Sequence, residues 1–177
     1  LITDRLMAGA DTRATARALA SAAEKLGPFD AVFCGCKAID GETGQVPGEL
    51  AAALGLPCIS NAEKVEMAGD GLLVTRRLED GVQNLTVSGS AMVSFSSYSY
   101  PLRLAGILGM RRARKTPVEV LTAADLGLTS EDCGLKGSLT KVVAMESRFP
   151  GLRRGPKETD LDAGVQNLRV LLREVRP

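Results

Sequence analysis

Ala31-Val32-Phe33-Cys34-Gly35-Cys36-Lys37-Ala38-Ile39-Asp40-Gly41-Glu42-Thr43-Gly44-Gln45-Val46-Pro47-Gly48 is the stretch that decides the fold. It opens, with Asp30 before it, on a short apolar run ending in glycine, which reads as a strand buried on both faces of a parallel sheet. A loop with two more glycines follows. A helix then spans about residues 47–54, with proline allowed in its first turn and Gly55-Leu56-Pro57 stopping it. Free backbone N–H groups and the positive end of a helix dipole converge at such a junction, which makes it a ready anion site. Gly41 and Gly44 would let the backbone approach a phosphate closely. Lys37 could add a point charge, and Thr43 and Gln45 could donate to phosphate or ribose oxygens. Asp40 and Glu42 suit ribose hydroxyls or cap the helix. The motifs G-x-x-x-x-G-K-S/T and G-x-G-x-x-G are both missing, so a glycine-rich turn leading into a capped helix remains the alternative.

The neighbouring segments repeat this alternation. Residues 12–26 form a helix capped by Asp11 or Thr12 and ended by Gly27-Pro28, with a narrow apolar face of Ala18, Leu19, Ala22, Ala23 and Leu26. Residues 56–60 are the next buried strand, so helices and strands alternate as right-handed crossover units do. Between residues 63 and 88 the period changes to that of two consecutive hairpins, a β-meander inserted in the α/β domain. Residues 91–95 return to the buried sheet. Residues 96–115 have no clear period and read as a functional loop, whereas 117–121 and 141–145 are strand-like. Residues 148–158, rich in glycine, proline and basic side chains, form a linker, and 159–175 a capped amphipathic helix. The expected organisation is a nucleotide-binding domain over 1–147 and a linker with a helical arm over 148–177. Leu1-Ile2-Thr3-Asp4 resembles the tail of a strand, so the first strands of the sheet are expected to lie outside this chain.

Composition narrows the chemistry. In 177 residues, 45% hydrophobic and 24% charged, there is material for one ordinary soluble domain with its own core. The net charge of +1 gives no bulk signal for nucleic acid, and six aromatics offer no stacking platform for single strands. Histidine is absent, which removes Ser-His and Cys-His catalysis and His-rich metal sites; no metal site and no catalytic residue is assigned. The uncharged run of residues 81–102 is interrupted by serines, Gln83 and Asn84, so no membrane span is expected. Four cysteines without C-x-x-C spacing suggest reduced thiols in a cytoplasm. Cys34 and Cys36 are expected to face opposite sides of the sheet as packing residues, Cys58 to lie in the core, and Cys133 to sit exposed in a polar loop. Arg153-Arg154 and residues 111–115 read as solvated charge.

Ala38-Ile39-Asp40-Gly41-Glu42-Thr43-Gly44-Gln45-Val46 resembles the A-I-D-G-D-T-x-Q-V signature of the electron-transfer flavoprotein beta subunit. Further matches follow in family order: Ala8-Gly-Ala-Asp-Thr12, Leu54-Gly-Leu-Pro57, Leu78-Glu-Asp-Gly81, Thr122-Ala-Ala-Asp-Leu-Gly127, Gly134-Leu-Lys-Gly-Ser138 and Thr140-Lys-Val142. The resemblance implies a flavodoxin-like α/β sheet related to adenine-nucleotide hydrolases. It implies an electron carrier rather than an enzyme: a heterodimer whose alpha subunit holds most of the redox FAD, while the beta subunit binds AMP or a second FAD and electrons arrive from dehydrogenases. The family's nucleotide segment falls on Gly35 through Val46, with the backbone of Ala38 and Ile39 facing adenine and residues 41–46 around the phosphates. Ala10, Asp11 and Thr12 lie on a loop that also approaches the nucleotide. Residues 100–115 are similar to the family's recognition loop, which implies Leu104 as the anchor for partner dehydrogenases, with Leu102 second and Ile107 beside them.

This chain departs from the family at Cys36-Lys37, at Pro47-Gly48, which reverses the common Gly-Pro, and at Arg77, where AMP-type members often carry an acid. Its recognition loop is about three residues longer. The terminal helix could fold back on this domain or, as the resemblance implies, serve as the arm that grips the alpha subunit. Two rival readings are an adenylating or hydrolysing enzyme of the related fold, and a structural subunit with an empty pocket.

Overall fold

In the computed structural model, residues 1–96, 99–144, 146 and 158–174 are described. The chain divides into two compact units, Leu1–Lys141 and Val142–Pro177.

The first unit is built on one five-stranded sheet in the order β1-β5-β2-β3-β4. Strand β1 (Ala31–Gly35) runs parallel to β5 (Ala91–Phe95), with Ala31 opposite Ala91 and Gly35 opposite Phe95. Strand β2 (Cys58–Ala68) pairs parallel with β5 at Cys58 and Ile59, then antiparallel with β3 (Gly71–Leu78) from Ala62 onward. The change of partner coincides with a register shift, and Asn61 sits there with φ 58°. Asparagine tolerates this left-handed conformation better than most side chains. Strand β4 (Gly81–Ser88) closes the meander against β3. The meander therefore continues the parallel core as one sheet. The sheet is α/β with parallel pairs, as its alternating pattern implied.

Helix α1 (Thr12–Leu26) and helix α2 (Val46–Leu54) lie on one face of the sheet. Ala16, Ala20, Leu50, Ala51 and Met92 form that core, with Val32 and Cys34 against it. On the other face Ile59, Ala62, Leu72, Val74 and Val93 pack together. A third cluster joins Ala22 of α1 to Leu121 and Leu126. Helix α1 is thus buried on two sides, which is why five alanines line it and two of its predicted core residues, Leu19 and Leu26, face outward. Small side chains let a helix approach neighbours closely on both flanks.

Other expectations change in detail. Strand β1 is half covered, and Phe33 is 54% exposed on the face without helices. The strand-like residues 117–121 make a single parallel bridge, Leu121 to Ile2. Residues 141–144 are not a strand, and Met145 lies outside the described residues. Residues 107–115, read as loop, form helix α3 (Ile107–Lys115), in which no residue is buried. A helix with no buried face has no core to impose an apolar stripe on its sequence. A short helix α4 (Gly134–Gly137) follows, and in the second unit helix α5 (Leu161–Glu174) takes up the terminal helix. Most of the expected linker, residues 147–157, and Val175 fall outside the described residues, as do Arg153 and Arg154. Among the described residues no helix is long and apolar enough to cross a membrane.

Candidate functional site

A cleft of about 460 Å³ opens where β1 ends and α2 begins, walled by the start of α1. This size suits a small-molecule site. Of the fourteen residues expected to touch a nucleotide, eleven line it: Asp11, Thr12, Gly35, Lys37, Ala38, Asp40, Gly41, Glu42, Thr43, Gly44 and Val46. Cys36 and Gln45 line an adjoining depression with Cys58, Asn61 and Ser94, and Ile39 projects wholly into solvent. Ala10, Thr15, Leu19, Cys34, Pro47 and Leu50 complete the wall. Leu19 was expected in the core of a helix; its half-exposure is explained by the cleft.

The loop has unusual backbone. Cys36 donates its N–H to Phe95 and Glu42 donates to Ala38, and φ is positive at Glu42 (51°) and Gly44 (66°). Among the described residues, the amides of residues 37–41 and 43–46 have no acceptor. Helix α2 begins with Gln45 at its cap position and no side-chain hydrogen bond to its first turn. Asp40 and Glu42 therefore do not cap it. Unmet donors at a helix start attract an anion. Lys37 is less available than its sequence position suggested, because its ammonium pairs with the Glu42 carboxylate. That hydrogen bond and the attraction behind it raise the Lys37 pKa and lower that of Glu42. The pair leaves the loop's own amides as its positive element.

Asp11 is more heavily engaged than sequence alone disclosed. One carboxylate oxygen caps α1 at the Ala14 N–H; the other accepts from the N–H groups of Leu139 and Thr140 and from the Thr140 hydroxyl. Burial pushes its pKa up, and the hydrogen bonds from Ala14, Thr140 and Leu139 outweigh that and hold it at about 2. The Asp11 N–H donates to Ser138. This side chain ties α1 to the strap of residues 134–140, and Arg17 pairs with Asp132 on the same side. The Gly134-Leu-Lys-Gly137 motif has a packing reason: a Cβ on Gly134, at φ 54°, would lie 2.3 Å from the Leu6 carbonyl oxygen. On Gly137 it would lie 2.3 Å from the Asp132 backbone. Next to Asp11, Thr12 Oγ1 lies 3.1 Å from Glu49 Oε1 and 3.2 Å from Gln45 Oε1. Glu49 was not singled out in the sequence; its signal was its place one turn after Gln45.

The cysteines correct three expectations. Residues two apart in extended chain share a side, and Cys34 and Cys36 are electrostatic neighbours rather than opposed. Burial first, then Cys58 and Cys36, pushes the Cys34 thiol up to about 11. Cys58 is exposed, and Cys133 is buried, at 3% exposure.

Elsewhere, Phe33, Phe95 and Tyr100 stack edge to face at 5.4 and 5.6 Å, and the Tyr100 hydroxyl accepts from the Val65 N–H. Beyond this anchor Leu102, Leu104 and Ile107 are exposed by 86, 87 and 68%. Arg103, Arg111, Arg112, Arg114 and Lys115 make no ion pair among the described residues. Arg77, by contrast, is held by Glu63 through two hydrogen bonds of 2.6 and 3.2 Å.

A family model described as Electron transfer flavoprotein domain matches residues 1–126. The chain is 42% identical over 171 residues to the electron transfer flavoprotein subunit beta of Thermoanaerobacterium thermosaccharolyticum, covering 95% of this chain and 65% of the relative. It is 36% identical over 170 residues to protein FixA of Azorhizobium caulinodans, covering 92% and 59%. It is 32% identical over 142 residues to subunit CarD of the caffeyl-CoA reductase-Etf complex of Acetobacterium woodii, covering 80% and 54%. The chain thus spans between half and two thirds of the length of these relatives.

Proposed function

The chain belongs to the electron transfer flavoprotein family, and from its likeness to beta subunits we propose that it holds AMP or a second FAD in the cleft of residues 35–46. It pairs with an FAD-carrying alpha subunit and passes on electrons taken from dehydrogenases in the cytoplasm. It is a carrier subunit, not an enzyme. The single observation that carries the nucleotide reading is the run of amides at residues 37–41 and 43–46, without acceptors, around a cleft of about 460 Å³. Such a lining suits a phosphate or pyrophosphate without a basic side chain. Asp11, Thr12 and residues 35–46 are the proposed binding residues; the Asp11 carboxylate, already saturated, would contribute by holding the wall in place.

The flavin supplies the electron chemistry. This chain's share is to fix the nucleotide, shape the surface met by the alpha subunit, and dock a dehydrogenase through Leu104, with Leu102 and Ile107 beside it. Residues 148–177 serve as linker and arm toward the alpha subunit. Coexpression of the full-length chain with its alpha subunit, denaturing release and chromatography test the reading. One equivalent of AMP, or of FAD beyond that of the alpha subunit, is expected per heterodimer. A preparation with no such adenine nucleotide would overturn it.

A further inference from the structure

Thr12 has one hydroxyl proton and two acceptors in reach, Glu49 Oε1 at 3.1 Å and Gln45 Oε1 at 3.2 Å. One proton cannot make both bonds. The competition is unequal. Glu49 Oε2 is shielded from solvent and has no hydrogen-bond partner among the described residues, so its carboxylate has few donors to share. An ionised acceptor in that state holds the proton more strongly than a neutral amide does. Turning the Gln45 amide about its last bond, so that Nε2 in place of Oε1 faces Thr12 and donates to the free lone pair of Oγ1, removes the conflict. The exchange swaps two ends of nearly equal size and leaves the carbonyl oxygen on the side away from Thr12. Gln45 is exposed beside Lys37 and Gly44, at the edge of the nucleotide loop.

We infer that Glu49 is a positioning residue that fixes Gln45 as a hydrogen-bond acceptor, so that this point of the site selects a hydroxyl or amino group of the ligand and not a phosphate oxygen. The inference rests on the nucleotide reading above, and it reverses the donor role that the sequence suggested for Gln45. It also divides the loop's labour: backbone amides take the anion, while the Thr12-Glu49-Gln45 chain reads a neutral donor.

The test uses the full-length protein copurified with its alpha subunit and stripped of nucleotide. Calorimetric titration compares AMP with 2′-deoxy-AMP, 3′-deoxy-AMP and inosine monophosphate, which lack in turn the 2′-hydroxyl, the 3′-hydroxyl and the exocyclic amino group. The native protein is expected to bind AMP at least about fivefold more tightly than one analogue. In Glu49→Gln and Thr12→Val that ratio should fall below about twofold, and likewise in Gln45→Leu, whose exposed position spares the fold. A purely structural role for Glu49 would weaken all four ligands alike. The inference is overturned if Glu49→Gln keeps the native ratio, or if the native protein binds AMP without distinguishing the analogues. Failure of the native protein to bind either AMP or FAD is a different result: it removes the nucleotide reading and this inference with it.

Discussion

Residues 134–140 and residues 101–117 are two segments with opposite relations to the rest of the molecule. The first is a strap held by Asp11 and by Arg13, whose guanidinium donates to the Gly137 carbonyl, with Arg17 paired to Asp132 just before it and two glycines pressed against backbone. The second is anchored at Tyr100 and then carries leucines and cations that meet almost nothing. A nine-residue helix without a packed face is marginal in water, whereas the strap is pinned by the hydrogen bonds that Leu139, Thr140 and Ser138 make with Asp11. The difference teaches that one segment positions the cleft and the other is left free for a surface to be met later.

Substitution at the strap should give the largest effect. Gly134→Ala places a Cβ against the Leu6 and Ala8 carbonyls at a left-handed φ, and about 3 kcal/mol of stability should be lost; an unchanged denaturation midpoint would break the contrast. Leu104→Ala should act in the reverse manner. We expect electron transfer from the dehydrogenase to lose about 30-fold in kcat/KM, near 2 kcal/mol, with the melting temperature unmoved. A variant that melts early while docking normally would place Leu104 on the structural side.

Asp11→Asn comes next, at about 1.5 kcal/mol, read by chemical denaturation at pH 7. Because the folded pKa, about 2, lies below the unfolded value near 3.9, the stabilisation is present above pH 4 and lost as pH falls toward 2. The native protein should therefore lose stability across that window faster than Asp11→Asn; parallel acid curves for the two would contradict this. The smallest effect belongs to the cations. Replacing Arg111, Arg112, Arg114 and Lys115 by Gln should slow partner encounter about tenfold at low salt and hardly at all near 1 M, and stopped-flow traces independent of ionic strength would remove steering from the account.

The same contrast governs what could be read in advance. Helices α1 and α2, the meander and β5 were legible because burial imposes period on sequence, and caps such as Asp11 and Gly55 mark their ends. The cleft was legible as a motif: eleven of fourteen candidates line it. What escaped depends on contacts between distant parts. The alanines of α1 are buried on two flanks only because Leu121 and Leu126 return beside them. Cys133 is buried by the fold around a loop that reads as polar. Lys37 reads as a free cation until Glu42 comes within reach of it. Helix α3 buries none of its residues among the described part of the chain, so nothing in its spacing announced it.

Asp11 meets Thr140 across 129 residues of chain. All the residues that line the cleft lie between positions 10 and 50, yet the hydrogen bonds on the Asp11 carboxylate that caps α1 are completed only by this late arrival. During synthesis, when domains gather themselves from the amino-terminal side, the residues that line the pocket would all be made before the meander was translated. The pocket would gain its final geometry only as Leu139 and Thr140 emerged from the ribosome.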